Sequence, residues 1–96
     1  MYILVTYDIA VTSPSGPKRL RKVSETCLDF GQRVQNSVFE CDINEIQMTE
    51  LVHRLEQLIK PKEDSVRIYK LIGQSRDEII HMGTKEPTDF QDPLIF

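Results

Sequence analysis

The opening residues of the chain constrain its fold more than any other segment. From Tyr2 to Ile9 the sequence is rich in β-branched and aromatic residues, a composition typical of a β-strand. Alternate side chains of a strand point to opposite faces, and both sets are mostly apolar here. Such a strand needs cover on both faces, so we expect it to be the central strand of a sheet. With 96 residues, the chain has the length of one small domain.

Two amphipathic helices are predicted to follow. The first spans residues 17–30, with Ser15 as its N-cap and Gly31 as the residue that ends it. The second begins after Asn44, which has the capping-box spacing with Gln47, and it ends before the next proline. In both helices the apolar residues recur every three or four positions, so each helix has one face to bury.

Further extended segments complete the pattern. Residues 33–43 and 65–72 read as strands, and residues 78–82 as a short edge strand. The polar residues 35–37 leave open whether the first segment is one strand or two. The order predicts a ferredoxin-like α+β sandwich, βαββαβ with an extra short C-terminal strand. Because both helices would cover one sheet face, we expect a second copy to cover the other, giving a homodimer.

Composition and missing motifs narrow the class of protein. No apolar run reaches the roughly 20 residues of a membrane span, and the first residues lack the basic start of a signal peptide. Cys27 and Cys41 have no metal-binding spacing, so we expect free buried thiols in a cytoplasmic protein. The absence of phosphate-loop, dinucleotide and zinc motifs excludes most chemistry that depends on them. The predicted domain spans residues 1–83. Residues 84–96 form a tail whose apolar end, from Leu94 to Phe96, suits the addition of a strand to another chain's sheet edge; simple fraying is the alternative.

Asp8 is the first candidate for chemistry. It lies at the C-terminal end of the predicted central strand, on the face where we expect the second copy. Two Asp8 carboxylates facing each other would suit a hard divalent cation such as Mg²⁺ or Mn²⁺. Metal binding needs both carboxylates ionised, so any cleavage should increase with pH. The alternative is an aspartate that only hydrogen-bonds the following loop, which spacing alone favours.

A basic cluster follows that loop. Its four residues lie within five positions at the start of the first predicted helix: Lys18, Arg19, Arg21 and Lys22. The helix dipole disfavours cations at that end, so their presence favours a role in binding an anion such as phosphate. A solvated basic face is the alternative. The net charge of −3 disfavours a protein coated in nucleic acid, so only the local charge supports phosphate binding.

Arg33, Ser37 and Phe39 share a parity on the second extended segment. Arg33 is a further candidate for a phosphate contact, whereas Phe39 is more typical of a core residue. His53 and His81 have no partners at metal-ligand spacing, so we assign them no catalytic role.

Three segments, taken in order, resemble one known family. The strand that ends in Tyr7 and Asp8 resembles the opening strand of the small CRISPR-associated endonuclease/endoribonuclease of the adaptation module, the partner of the CRISPR integrase. Residues 31–41 resemble that family's arginine-valine-glutamine-x-serine-valine-phenylalanine-glutamate strand, and residues 64–69 its last core strand. The resemblance covers residues 1–83.

The resemblance implies a ferredoxin-like homodimer in a prokaryotic cytosol, with Asp8 as the metal-binding aspartate facing its symmetry mate. Family members are described as metal-dependent endonucleases on single-stranded RNA or double-stranded DNA. The basic and aromatic positions of the family fall on Tyr7, Arg19, Arg33 and Phe39. The family also acts as a non-catalytic dimeric bridge between integrase dimers during spacer acquisition. Tails such as residues 84–96 help to dimerise or to bind the integrase.

Three functions remain open. We predict a metal-dependent endonuclease of CRISPR adaptation that hydrolyses phosphodiester bonds, with double-stranded DNA favoured over single-stranded RNA. The first alternative is a non-catalytic dimeric DNA-binding scaffold that bridges CRISPR integrase dimers. The second, without the family, is a ferredoxin-like module that binds a small ligand or a protein. The predicted residues are Asp8 as catalytic and metal ligand, Lys18, Arg19, Arg21, Lys22 and Arg33 for nucleic acid, and Tyr7, Ser37 and Phe39 in support.

Overall fold

The computed structural model describes residues 1–73 and 79–83. Over these residues the helices and strands follow the predicted βαββαβ order. In chain order they are β1 (Tyr2–Asp8), α1 (Gly16–Phe30), β2 (Gln32–Gln35), β3 (Val38–Asp42), α2 (Glu45–Leu58) and β4 (Ser65–Lys70). The polar stretch 35–37 therefore does divide the second extended segment, because it contains the turn between β2 and β3.

The strands of the described part of the chain form one antiparallel sheet in the order β2-β3-β1-β4. β1 lies between β3 and β4, which confirms that the apolar opening segment is a central strand. Both helices cover one face of this sheet. There Ile3, Val5 and Phe39 are completely buried together with Val23 of α1 and Leu51 of α2. This is the ferredoxin-like α+β architecture that the order of elements predicts.

The alternation along β1 separates a core face from a helix-free face. Ile3, Val5 and Tyr7 point into the core. On the helix-free face Leu4 and Thr6 are half-buried and Asp8 is exposed. The end of β1 thus presents a carboxylate on the side of the sheet that no helix of the described chain covers.

The two cysteines confirm the prediction of free buried thiols. Cys27 of α1 and Cys41 of β3 are both buried and neither forms a disulfide. Burial raises the pKa of the Cys27 thiol to about 12 and that of Cys41 to about 11. Both thiols therefore stay neutral at physiological pH and act as small apolar core residues. Within the described ranges, no helix is long and apolar enough to cross a membrane.

The N-terminal ends of the two helices differ from each other. α2 has the predicted capping box: Asn44 Oδ1 accepts from the backbone N–H of Gln47 at 2.8 Å, and Gln47 Oε1 accepts from that of Asn44 at 2.9 Å. Ser15 occupies the N-cap position of α1, but its side chain caps no backbone N–H. Its hydroxyl accepts a hydrogen bond from the Arg19 guanidinium instead. The predicted side-chain cap of α1 is therefore wrong, because a stronger donor engages that oxygen.

Gly31 follows α1, but it does not have the left-handed conformation that its position suggests. A helix-ending glycine commonly adopts a left-handed conformation, but Gly31 is extended, with φ −166°. Close packing requires the glycine: a Cβ at this position would lie 2.2 Å from the Glu40 carbonyl oxygen and 2.5 Å from Cys41 Sγ. At Gly31, where the chain leaves α1, its backbone therefore packs directly against β3.

The predicted extra strand at 78–82 does not form over the residues that the structure describes. Residues 79–82 have no strand conformation, and the side chains of Ile80 and Met82 are exposed. A segment this short needs a ladder partner to be stable as a strand. Residue 78 and the predicted tail 84–96 lie outside the described residues.

Gly31→Ala is expected to lower the free energy of unfolding by about 1–3 kcal/mol, since β3 has to move away from the new methyl group. Urea denaturation at fixed protein concentration measures this change. Leu28→Ala, on the exposed side of α1, is the control and should cost much less. Equal stability of Gly31→Ala and the wild type would contradict the close-packing explanation.

Candidate functional site

Asp8 occupies the last position of β1, opposite Ser65 of β4 in the sheet register. Its side chain is exposed on the helix-free face. Its carboxylate makes no hydrogen bond or ion pair with any described residue. An aspartate that serves only to hold the following loop would show such a bond. The described residues therefore do not support the alternative in which Asp8 only holds the following loop.

Among the described residues, Asp8 is not part of a cluster of metal-binding side chains. In the part of the chain that the structure describes, no group of three or more histidine, cysteine, aspartate or glutamate side chains could hold a metal. One carboxylate still fits Mg²⁺ or Mn²⁺, because Mg²⁺ is commonly bound through one or two carboxylates, with water and substrate phosphates as its other ligands. The described part of one chain would therefore offer a single carboxylate to such an ion.

A buried ion pair fixes the loop that follows Asp8. Arg19 Nε donates to Asp64 Oδ2 at 2.8 Å, and Nη2 donates to Oδ1 at 3.1 Å, so the contact is bidentate. The Asp64 side chain is fully buried. It also accepts the backbone N–H of Ala10 at 3.0 Å and that of Lys60 at 2.8 Å. This carboxylate thus joins the loop after β1 to the loop before β4.

Arg19 is a structural residue, which differs from its predicted role in nucleic-acid binding. Only 8% of its side chain is exposed. Besides Asp64, the guanidinium donates to the Ser15 hydroxyl, to Ser13 Oγ at 3.2 Å and to the Ala10 carbonyl oxygen at 3.5 Å. Every nitrogen of the guanidinium therefore has a partner inside the protein. The basic cluster alone could not reveal this, because Asp64 lies 45 residues away along the chain.

The other members of the basic cluster are on the surface. Lys18, Arg21 and Lys22 are exposed, on the side of α1 opposite its buried residues Val23 and Cys27. α1 packs on the sheet face that Asp8 does not share. The three exposed cations and the Asp8 side chain therefore belong to different layers of the domain.

Arg33 and Phe39 are cross-strand partners in β2 and β3. The Arg33 guanidinium lies 5.2 Å from the centroid of the Phe39 ring and donates to the Ser24 hydroxyl. Phe39 is fully buried, which confirms the core assignment, and its ring stacks on Tyr7 with 6.0 Å between centroids. Arg33 is half-buried. Its side chain packs at the edge of the core, so only part of the side chain is exposed to an external anion.

Ser37 lies in the turn between β2 and β3, so it does not continue the strand parity of Arg33. Its carbonyl oxygen accepts the backbone N–H of Tyr7 at 3.1 Å. The Tyr7 hydroxyl donates to the carbonyl oxygen of Asn36 at 3.3 Å, and burial raises the pKa of this phenol above its usual value. Tyr7 and Ser37 therefore attach the β2–β3 turn to the central strand.

Two residues of β4, Arg67 and Tyr69, lie on the same sheet face as Asp8. The sequence pattern did not single them out. Arg67 pairs with Thr6 and Tyr69 pairs with Leu4, so both side chains share the helix-free face. Both are exposed, and Arg67 Nη1 donates to Tyr69 Oη at 3.2 Å. Their parity is visible in the sequence, but only the antiparallel register of β1 and β4 places them near Asp8.

Fold and site together define a class: a small ferredoxin-like domain whose central strand ends in an aspartate with no partner among the described residues, on the helix-free face. The family described as "CRISPR associated protein Cas2" matches residues 1–79. The chain belongs to this family, which confirms the resemblance carried by its three segments.

Curated relatives and a solved structure agree with this membership. "CRISPR-associated endoribonuclease Cas2 1" of Moorella thermoacetica is 52% identical over 95 residues, which are 99% of each chain. "CRISPR-associated endonuclease Cas2" of Halalkalibacterium halodurans is 48% identical over 96 residues, the whole of both chains. The crystal structure of Streptococcus pyogenes Cas2 at pH 6.5 has 46% identity and a TM-score of 0.75, and it covers 86% of this chain and 100% of its own.

Asp64→Asn is expected to lower the melting temperature by about 10 °C at neutral pH, because it leaves the buried Arg19 charge without its counterion. The same replacement at Asp29, whose ion pair with Arg54 has the same 2.8 Å distance but is exposed, is the control and should change little. Thermal unfolding of both variants at matched concentration decides this.

The effect of Asp64→Asn should depend on pH. The Arg19 guanidinium beside Asp64, with the two backbone N–H donors, holds the pKa of that carboxyl at about 2, against an ordinary 3.8. A depressed pKa stabilises the folded state above the ordinary value, and this stabilisation is lost as the pH falls towards the folded value. The gap between wild type and Asp64→Asn should therefore narrow from about pH 4 to about pH 2. A constant gap over that range would contradict the assigned ion pair.

Proposed function

We propose that this protein is a metal-dependent endonuclease of CRISPR adaptation that acts as a homodimer, with one Asp8 from each copy at the site of cleavage. The observation that carries the proposal is the Asp8 carboxylate at the exposed end of β1, which no described residue engages. Relatives of this chain carry the names endonuclease and endoribonuclease. We favour double-stranded DNA as the substrate, with single-stranded RNA as the competing choice.

The Asp8 carboxylate would hold Mg²⁺ or Mn²⁺, and the bound ion would activate water and offset the charge that develops on the phosphodiester. The chain's own residues do the rest. No described residue hydrogen-bonds the Asp8 carboxylate, so no such bond would have to break before a metal ion binds. The Arg19–Asp64 pair holds the loop beyond β1, which keeps the end of the strand in place.

A second copy completes the site because the end of β1 offers one carboxylate from each chain. A two-fold axis on the helix-free face would bring two Asp8 side chains together, since an isologous interface uses the same patch on both copies. The half-buried Leu4 and Thr6 would be covered by the same contact. The exposed cations Lys18, Arg21 and Lys22 would then lie on the outer helical layers of the dimer and bind phosphates there.

The second candidate function is a dimeric DNA-binding scaffold that bridges CRISPR integrase dimers without cutting. One observation favours it: the exposed cations lie on a different layer from Asp8, so DNA can bind at α1 without reaching the carboxylate. Duplex binding and capture of the integrase by a protein that cuts neither duplex DNA nor single-stranded RNA would support this function over the nuclease.

Asp8→Asn is expected to reduce cleavage at least about 100-fold, because removal of a metal ligand takes away several kcal/mol of transition-state stabilisation. The assay compares plasmid duplex DNA and a single-stranded RNA, each with Mg²⁺ and with EDTA. Asp42→Asn is the matched control: it also has an exposed carboxylate, and its β1 partner is Tyr2, at the other end of the strand from Asp8. The dimer should persist in Asp8→Asn by sedimentation. Unchanged cleavage by Asp8→Asn would place the active site elsewhere.

Arg21→Ala is expected to weaken duplex binding. It should also reduce the slope of log affinity against log salt by about 0.9 for each phosphate that the protein no longer neutralises. The measurement uses the Asp8→Asn protein in EDTA, so that no substrate is cut. Lys62→Ala, an exposed cation in the turn before β4, is the control. An unchanged salt slope in Arg21→Ala would remove the exposed basic cluster from the nucleic-acid interface.

A further inference from the structure

The Arg19–Asp64 ion pair holds the turn between α2 and β4 against the start of α1. Asp64 Oδ2 accepts the backbone N–H of Lys60 at 2.8 Å, and the same oxygen accepts Nε–H of Arg19 at 2.8 Å. Lys60 is the second residue after α2, which ends at Leu58. A single carboxylate oxygen therefore brings the backbone of Lys60 beside the guanidinium that extends from the first turns of α1.

The groove between the two helices shows the same neighbourhood. Lys22 of α1 lines this groove together with Gln57 and Leu58 from the last turn of α2. The end of α2 therefore lies beside the part of α1 that carries the exposed cations. The Lys60 side chain is 55% exposed. It adds a further exposed cation at this end of the helical layer, and clustered charges of one sign attract a polyanion.

Glu63 is the partner of Lys60 within the turn. The Glu63 N–H donates to the Lys60 carbonyl oxygen at 2.9 Å, so the two residues form the base of the turn and Lys62 lies at its tip. Lys60 Nζ is 3.9 Å from Glu63 Oε2, and both side chains are partly exposed. An exposed ion pair at this distance is weak, so a phosphate can replace the carboxylate.

The dimer that we propose does not use this surface. Its contact covers Leu4 and Thr6 on the helix-free face, whereas Lys60 follows directly on α2, which packs on the opposite face of the sheet. A polyanion that lies along the exposed cations of α1 can therefore also reach Lys60 in the dimer.

We propose that Lys60 is a nucleic-acid-binding residue: its ammonium group binds a backbone phosphate of duplex DNA beside those bound by the exposed cations of α1, and Glu63 competes for it. The inference rests on the proposed function, because the α1 cations define where the nucleic acid lies. It extends the interface from one helix to the turn beyond α2. It also gives the buried Asp64 carboxylate a second task, which is to position Lys60.

The test measures binding of fluorescent duplex DNA by the full chain carrying Asp8→Asn, in EDTA and over a range of salt concentrations. For each Lys60 that contacts a phosphate, adding Lys60→Ala should reduce the salt slope by about 0.9 and weaken binding about tenfold at about 0.1 M salt. Lys60→Arg keeps the charge and should keep the slope. Lys62→Ala removes the same charge from the tip of the same turn and is the matched control, with an unchanged slope.

Glu63→Gln tests the competition. It should tighten binding about two- to fivefold, because Lys60 no longer has an ion-pair partner within the turn. In the Lys60→Ala protein the same replacement should have little effect, since the two changes act on one contact. Glu45→Gln removes an exposed carboxylate from the other end of α2 and is the control for general repulsion. Equal tightening by Glu63→Gln and Glu45→Gln would contradict the competition.

Equal salt slopes in Lys60→Ala and Lys62→Ala would overturn the inference. A lower melting temperature of Lys60→Ala with an unchanged slope would make Lys60 a structural residue and would overturn it too. Arg21→Ala, measured in parallel, separates the inference from the proposed function. If the slope decreases in Arg21→Ala but not in Lys60→Ala, the interface on α1 stands and the inference fails. A parent protein that does not bind the duplex refutes both.

Discussion

The buried pair of Arg19 and Asp64 holds together the end of the molecule where Asp8 lies. Arg19 is in the first turns of α1, where the helix dipole disfavours a cation. The fully buried Asp64 carboxylate offsets that cost, and it has no unsatisfied oxygen because backbone N–H groups of Ala10 and Lys60 also donate to it. Burial of both charges is tolerated because the contact is bidentate and all its donors are engaged. The loop after β1, the loop before β4 and the start of α1 are consequently held together by this one ion pair.

Because Arg19 is buried, the charge pattern on the surface of the domain differs from the pattern in the sequence. A run of four cations in the sequence becomes three exposed cations on the outer layer of α1. Among the described strand residues, the helix-free face carries acidic side chains and the single cation Arg67. The exposed cations of α1 and the Asp8 carboxylate therefore lie on opposite faces of the sheet. This separation is compatible with both cleavage and bridging. Cleavage would require the Asp8 carboxylate, whereas bridging would not.

Symmetry links the remaining features of the helix-free face. One chain offers a single carboxylate to a metal ion, and the proposed two-fold axis would bring the Asp8 of a second copy to the same place without any further residue. The same arrangement would cover the half-buried side chains of Leu4 and Thr6. A small domain has little core of its own, so burial of this face against a second copy would stabilise it as well as assemble the site.

Features that depend on neighbours a few residues apart could be predicted from the sequence. Apolar residues on both faces predicted β1 as the central strand, and strand alternation put Asp8 on the face opposite Ile3 and Val5. The Asn44–Gln47 spacing predicted the capping box of α2, and three segments taken in order indicated the family. Tertiary structure alone decided the role of Arg19, since its partner Asp64 lies 45 residues away. It also decided that Gly31 is required by contact with β3, and that Arg67 neighbours Asp8. Periodicity and capping are local properties of a chain, whereas an ion pair, a close approach and a strand register exist only once distant segments have packed together.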